Sequence, residues 1–134
     1  MLKEAFEWAG KPVPGSSLLK LISKTESTTI HLDDPQYSHR IFNPKELELA
    51  ARTLIGKPVG RNHESVIDGA VVLDSEYNQK AVESIAMVPP DWIQKVRNGT
   101  VKNCSVEYSW RSEKRNESDK SVEFEGLVFT RVDL

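Results

Sequence analysis

Gly56-Lys57-Pro58-Val59-Gly60-Arg61-Asn62-His63 and Asn103-Cys104-Ser105-Val106-Glu107-Tyr108 are the two stretches that decide how this chain folds. Each reads as a strand or strand edge, and together they bracket one histidine and one serine. A third stretch, Phe124-Glu125-Gly126-Leu127-Val128-Phe129-Thr130-Arg131-Val132-Asp133-Leu134, is apolar and extended in character and carries a carboxylate near its end. Histidine, serine and acid in that order suit a hydrolase, because a catalytic triad is defined by geometry and not by chain order.

Outward from these stretches, the clearest element is a helix over 44–55. Asn43 is a good N-cap, Pro44 suits the first helical position, and Glu46 stands where it closes a capping box. Gly56 fits just past the end, and Leu47, Leu49, Ala50, Ala51, Leu54 and Ile55 form an apolar stripe at helical spacing. Upstream, residues 1–16 read as an N-terminal arm with a short helical turn, broken by Gly10-Lys11-Pro12-Val13-Pro14-Gly15. Leu18–Thr25 and Thr28–Leu32 read as two strands of a hairpin, Asp33–Gln36 as a turn and Tyr37–Phe42 as an extended piece.

Downstream, Gly69–Asp74 and Ala81–Val88 read as strands with a turn at Ser75–Asn78 between them. A short helix runs from Trp92 to Arg97, closed by Asn98-Gly99. Thr100–Trp110, rich in β-branched and aromatic residues, reads as a strand. Arg111–Ser121 has no apolar residue and is expected to be a mobile, solvated surface loop. Val122–Leu134 is a last strand or pair of strands. The fold class is mainly β with α (α+β): six to eight short strands in a mainly antiparallel barrel or sandwich, with helices added. Residues 17–134 form one domain.

The 134 residues suffice for a single core, and 18 Lys plus Arg against 20 Asp plus Glu give a net charge of −2. That balance carries no electrostatic footprint for nucleic acid or an anionic membrane surface. The single cysteine excludes an internal disulfide and a cysteine-based metal site. The opening residues lack the apolar core of a signal peptide, and no run approaches the roughly 18 apolar residues of a membrane span. A soluble protein of a reducing cytoplasm is expected.

Of His31, His39 and His63, the last ends a Pro/Gly-bearing stretch just before a strand, where a rim position is expected. Strand alternation puts Ser105, Glu107 and Ser109 on one side and Cys104, Val106, Tyr108 and Trp110 on the other. The second set is apolar, so Cys104 reads as core and Ser105 as the nucleophile. The acid is open among Glu64, Asp68, Glu107 and Asp133. Glu64 is a poor orienter, because adjacent strand residues point apart. Asp133, in an apolar strand, wants a partner such as an imidazole or Arg131. A metal site from the three histidines with Asp33 or Asp34 matches no trusted ligand spacing, and neither metal nor cofactor is expected.

From about residue 40 onward the chain resembles the prohead (capsid maturation) proteases of tailed phages, distant relatives of the herpesvirus assemblins. The resembling features are Leu54-Ile55-Gly56-Lys57-Pro58-Val59 followed by Asn62-His63, the strand Gly69-Ala70-Val71-Val72, and the short helix ending Arg97-Asn98-Gly99. Ser105-Val106-Glu107-Tyr108 and the closing Leu127–Leu134 complete them. The resemblance implies a mostly antiparallel β-barrel of about seven strands flanked by helices. It implies a serine endopeptidase, with Ser105 as nucleophile, His63 as general base and Asp133 as acid. Its substrates would be scaffold and major capsid protein precursors, and itself, inside the procapsid in the cytoplasm of the infected host cell. A homo-oligomer binding neither nucleic acid nor membrane is implied. Two features depart from the pattern: Asn103-Cys104 stands where small residues are usual, and the chain stops directly after Asp133-Leu134, as a trimmed or self-processed domain would. The rival expectation is a non-catalytic, tail-tube-like β-barrel of virion assembly, in which Ser105 and His63 lie far apart. A second rival is a binding barrel whose pocket lies elsewhere.

Overall fold

The computed structural model of the chain describes residues 2–25, 27–30 and 39–134. Its elements run α1 (Leu2–Ala9), β1 (Ser17–Thr25), β2 (Ser27–Ile30), β3 (His39–Phe42), α2 (Pro44–Thr53), β4 (Pro58–Arg61), β5 (Ser65–Tyr77), β6 (Ala81–Val88), α3 (Pro90–Arg97), β7 (Ser105–Ser109), β8 (Ser112–Asn116), β9 (Ser121–Glu125) and β10 (Val128–Asp133). The architecture is mixed α and β, mostly strand, as the strand and helix signals predict. The strands form a six-stranded sheet, β1-β6-β5-β4-β10-β7, and a four-stranded sheet, β2-β3-β9-β8. Neither closes on itself, so the expected barrel is not seen. Most ladders are antiparallel, but β10 runs parallel to β4 and β9 parallel to β3.

The core forms where Leu47, Ala50 and Ala51 of α2, with Leu54 just past its end, cluster with Val59, Val72, Phe129 and Val132 of the large sheet. The opposite face of β5 is covered too: α1 packs Ala5 and Ala9 on Val71. Being covered on both sides explains why Ala70, Val71 and Val72 form an unbroken apolar run instead of alternating. The segment expected as an arm thus includes a helix docked on the sheet. Among the described residues no helix is long and apolar enough to cross a membrane.

Several local expectations are corrected. β1 and β2 do not form a hairpin: β1 pairs with β6 in one sheet and β2 with β3 in the other. Asn43 does cap α2, accepting from the Lys45 amide at 2.9 Å. Glu46, however, accepts the Leu127 amide at 3.2 Å, so a tertiary partner replaces the capping box. The turn expected at Ser75–Asn78 falls later, because β5 continues to Tyr77 and Asn78 Oδ1 accepts the amides of Lys80 and Ala81 at 2.9 and 2.8 Å. The strand expected over Thr100–Trp110 is confined to β7. Arg111–Ser121, expected as a loop, contains β8, which pairs antiparallel with β9. All five of its residues are exposed, and Lys114 reaches across to Glu125 at 2.9 Å. A charged outer strand lacks apolar alternation because neither of its faces is buried, and its charges discourage further pairing. The Asp33–Gln36 turn lies outside the described residues.

One contact ties α2 to β10. The β10 ladder shifts register between Phe129 and Arg131, and the Phe129 amide donates to Thr53 Oγ1 at 2.9 Å. Thr53, in the last turn of α2, in turn donates to the Ala50 carbonyl at 2.6 Å. Thr53→Val keeps the shape and strands that amide. It is expected to cost about 1–3 kcal/mol in urea denaturation, and a change below about 0.5 kcal/mol would mean that the amide finds another acceptor.

Candidate active site

β10 lies between β4 and β7, and the two registers decide which side chains meet. On one side Asp133 is paired with Gly60 and Val132 with Val59. On the other, Asp133 is paired with Ser105 and Arg131 with Glu107. Side chains alternate along a strand, so Arg131 and Asp133 share a face, and Ser105 and Glu107 stand beside them on it.

His63 arrives from the end of β4. Asn62 and His63 both adopt the left-handed conformation (φ 48° and 57°), and the Glu64 amide donates back to the Arg61 carbonyl at 2.9 Å. Asn and His are among the residues that most often accept this conformation, yet it costs on the order of 1–3 kcal/mol per residue and persists only where the surroundings enforce it. The end of β10 does so. The Asn62 amide donates to the Leu134 carbonyl at 3.2 Å, the Leu134 amide to the Gly60 carbonyl at 2.9 Å, and the His63 amide to Asp133 Oδ1 at 3.1 Å. Gly60 permits the approach: a Cβ there would lie 2.5 Å from Asp133 Oδ1 and 2.6 Å from Arg131 Nε.

Ser105 Oγ lies 2.7 Å from His63 Nε2, while Nδ1 of the same ring is 3.2 Å from Asp133 Oδ2 and 3.1 Å from Glu107 Oε1. The Asp133 side chain is only 2% exposed, against 49% for His63 and 35% for Glu107. A buried carboxylate needs partners, and Arg131 supplies the charge: Nε is 3.2 Å from Oδ2 and one terminal nitrogen is 2.9 Å from Oδ1. The same terminal nitrogen donates to Glu107 Oε1 at 3.1 Å. The structure therefore brings His63, Ser105 and Asp133 together. Glu107, one of the acids left open by the sequence, joins them. Asp68 sits instead against Gly10, at the other end of β5 from Tyr77.

His63, Glu107 and Asp133 offer donor atoms within 4.8 Å of one another, a spacing a metal ion would tolerate. The Arg131 guanidinium, bound to both carboxylates, already serves as their cation. Of the residues weighed for a histidine metal site, His31, Asp33 and Asp34 lie outside the described residues, and His39 stands on β3 of the smaller sheet.

A cavity of about 650 Å³ opens beside Ser105, within the size range of small-molecule and side-chain pockets. Arg40, Tyr108, Trp110 and Thr130 line it along with Cys104 and Ser105. Arg40 donates to the Tyr108 hydroxyl at 2.7 Å, and Phe42 meets the Tyr108 ring edge-on with centroids 5.4 Å apart. Arg40 comes from β3, before any motif the sequence singles out, so no local signal marks it as a cavity residue. Cys104, expected in the core, is only partly buried and lines the cavity. Its thiol donates to the Ile22 carbonyl with sulfur 3.4 Å from oxygen. Burial pushes that thiol above its ordinary pKa. The thiolate is the reactive form, so this disfavours Cys104 as a nucleophile, while the Ser105 hydroxyl is the group in contact with the imidazole.

Gly60→Ala is expected to force Asp133 and Arg131 apart, with a loss of about 1–3 kcal/mol, the usual range for overpacking, measurable by denaturation. An unchanged stability would show that the two strands can separate to admit a methyl group. Comparison of the chain with protein-family models, with curated proteins and with solved structures gives no match.

Proposed function

We propose that the chain is a serine endopeptidase of the capsid-maturation type, cutting scaffold and major capsid protein precursors, and itself, within a viral procapsid in the host cytoplasm. The observation that carries the hydrolase reading is the 2.7 Å contact of Ser105 Oγ with His63 Nε2, on a ring whose other nitrogen faces the buried Asp133 at 3.2 Å. The tail-tube-like alternative expects these two side chains to be far apart. The viral setting, the oligomeric assembly and an assemblin-like arrangement of the strands rest on the resemblance of residues 40–134 and belong to the proposal.

In this mechanism Ser105 Oγ attacks the scissile carbonyl carbon as its proton passes to His63 Nε2. The tetrahedral intermediate collapses, the C–N bond breaks, and the leaving amine takes that proton from His63. Water then attacks the acyl-enzyme, giving its proton to Nε2, and the ester bond breaks as Ser105 Oγ takes that proton back from His63 and the acid is released. Asp133 keeps Nδ1 protonated, so that Nε2 presents its lone pair to the serine, and stabilises the imidazolium that forms. The cavity beside Ser105 would receive a substrate side chain.

Co-expression with a scaffold or capsid precursor, read by mass spectrometry, tests this. Cleavage is expected from the wild type, lost in Ser105→Ala, reduced about 10³-fold or more in His63→Ala, and within about threefold of wild type in Cys104→Ala. Identical products from wild type and Ser105→Ala, or none from either, would favour the assembly-protein reading.

A further inference from the structure

His63 Nδ1 faces two carboxylates: it is hydrogen-bonded to Glu107 Oε1 at 3.1 Å and stands in ion-pair contact with Asp133 Oδ2 at 3.2 Å. A triad needs one. The geometry points to Glu107 as a second positioning residue, sharing with Asp133 the task of holding the His63 tautomer; this rests on the hydrolase reading above.

The reason lies in Arg131. Both oxygens of Asp133 are already engaged by it: Oδ2 accepts from Nε at 3.2 Å and Oδ1 is ion-paired with a terminal nitrogen at 2.9 Å, while Oδ1 also accepts the His63 amide. A carboxylate so engaged has its charge offset and its lone pairs shared, so it is a weaker acceptor for the imidazole N–H. Glu107 meets Arg131 through a single oxygen, the one that also faces Nδ1. Two carboxylates and one guanidinium leave one net negative charge, which an imidazolium at His63 would balance. Remove either acid and the cluster facing the imidazolium becomes neutral, but one acceptor for Nδ1–H remains. Remove both and the ring faces a guanidinium alone. The pairing of Arg131 with Glu107 and of Asp133 with Ser105 makes this a property of the strand register, with all four side chains on one face.

The test is a double-mutant cycle on the full chain with a fluorophosphonate probe. Ser105 Oγ forms a bond to phosphorus, fluoride leaves, and the serine proton passes to His63. Glu107→Gln and Asp133→Asn are each expected to slow labelling about 10- to 100-fold. Together they should slow it by about 10⁴-fold, the loss typical of a triad whose acid becomes an amide. Asparagine at 133 retains an oxygen to accept the His63 amide, and circular dichroism reports whether each variant is folded. A tautomer readout accompanies the rates: in ¹⁵N-histidine spectra Nδ1 is expected to stay protonated in each single variant and to lose its proton to Nε2 only in the double. Asp133→Asn alone reaching the rate and tautomer of the double variant would overturn the inference, as would labelling of Glu107→Gln within twofold of wild type. Should Asp133→Asn not fold, the Glu107→Gln rate still decides. Should the wild type not label at all, the hydrolase reading fails, and the tautomer in the single and double variants still decides between one acceptor and two.

Discussion

A single buried carboxylate holds the site together. Asp133 accepts the backbone amide of His63, faces its ring and receives the Arg131 guanidinium. Burying a charge is costly unless it is paired and hydrogen-bonded, and among the described residues no buried side-chain polar atom lacks a partner. The same carboxylate therefore helps to impose two things at once: through the His63 amide, a left-handed backbone that is costly for a non-glycine residue, and, together with Glu107, a ring orientation that presents Nε2 to Ser105. The strain in the turn and the charge in the core are offset by the same contacts.

Everything else supports the placement of that carboxylate. Fully buried Phe129 and Val132 anchor β10 under α2, and the Thr53 hydroxyl satisfies the amide freed where the β10 register shifts. The shift precedes Arg131, so it sets the phase with which Arg131 and Asp133 meet Glu107 and Ser105. Gly60 removes the side chain that would otherwise fill the space taken by Asp133 and Arg131. Helix packing, strand register and one missing Cβ converge on a few ångströms of sheet surface.

Much of this was legible in the sequence, for reasons particular residues make clear. The helix at Pro44–Thr53 announces itself through Asn43, Pro44 and an apolar stripe, all local signals. The outward face of Ser105 follows from alternation along β7, and Asp133 is conspicuous as an acid in an apolar strand. What the sequence could not supply was pairing. That β10 enters between β4 and β7, and that β1 and β2 part into different sheets, depends on contacts remote in the chain. Without the ladder, nothing set Glu107 apart as a second acid beside the favoured Asp133; with it, the residue two positions after Ser105 falls opposite the residue two before Asp133. The hairpin of β8 escaped notice because an outer strand exposed on both faces has no apolar period to read.

The position of β10 carries a consequence for how the protein comes into being. Its neighbours β4 and β7 occur earlier in the chain, and each pairs with β10 but not with the other. Until β10 is inserted, the hairpin that ends in His63 and the strand that bears Ser105 have nothing between them, and the left-handed turn has no carboxylate to hold it. Such long-range pairing is slow to form, because the entropy of closing large loops must be met before the contacts that offset it exist. The site therefore cannot form before β10 has paired with both β4 and β7, whatever the order in which the other elements fold.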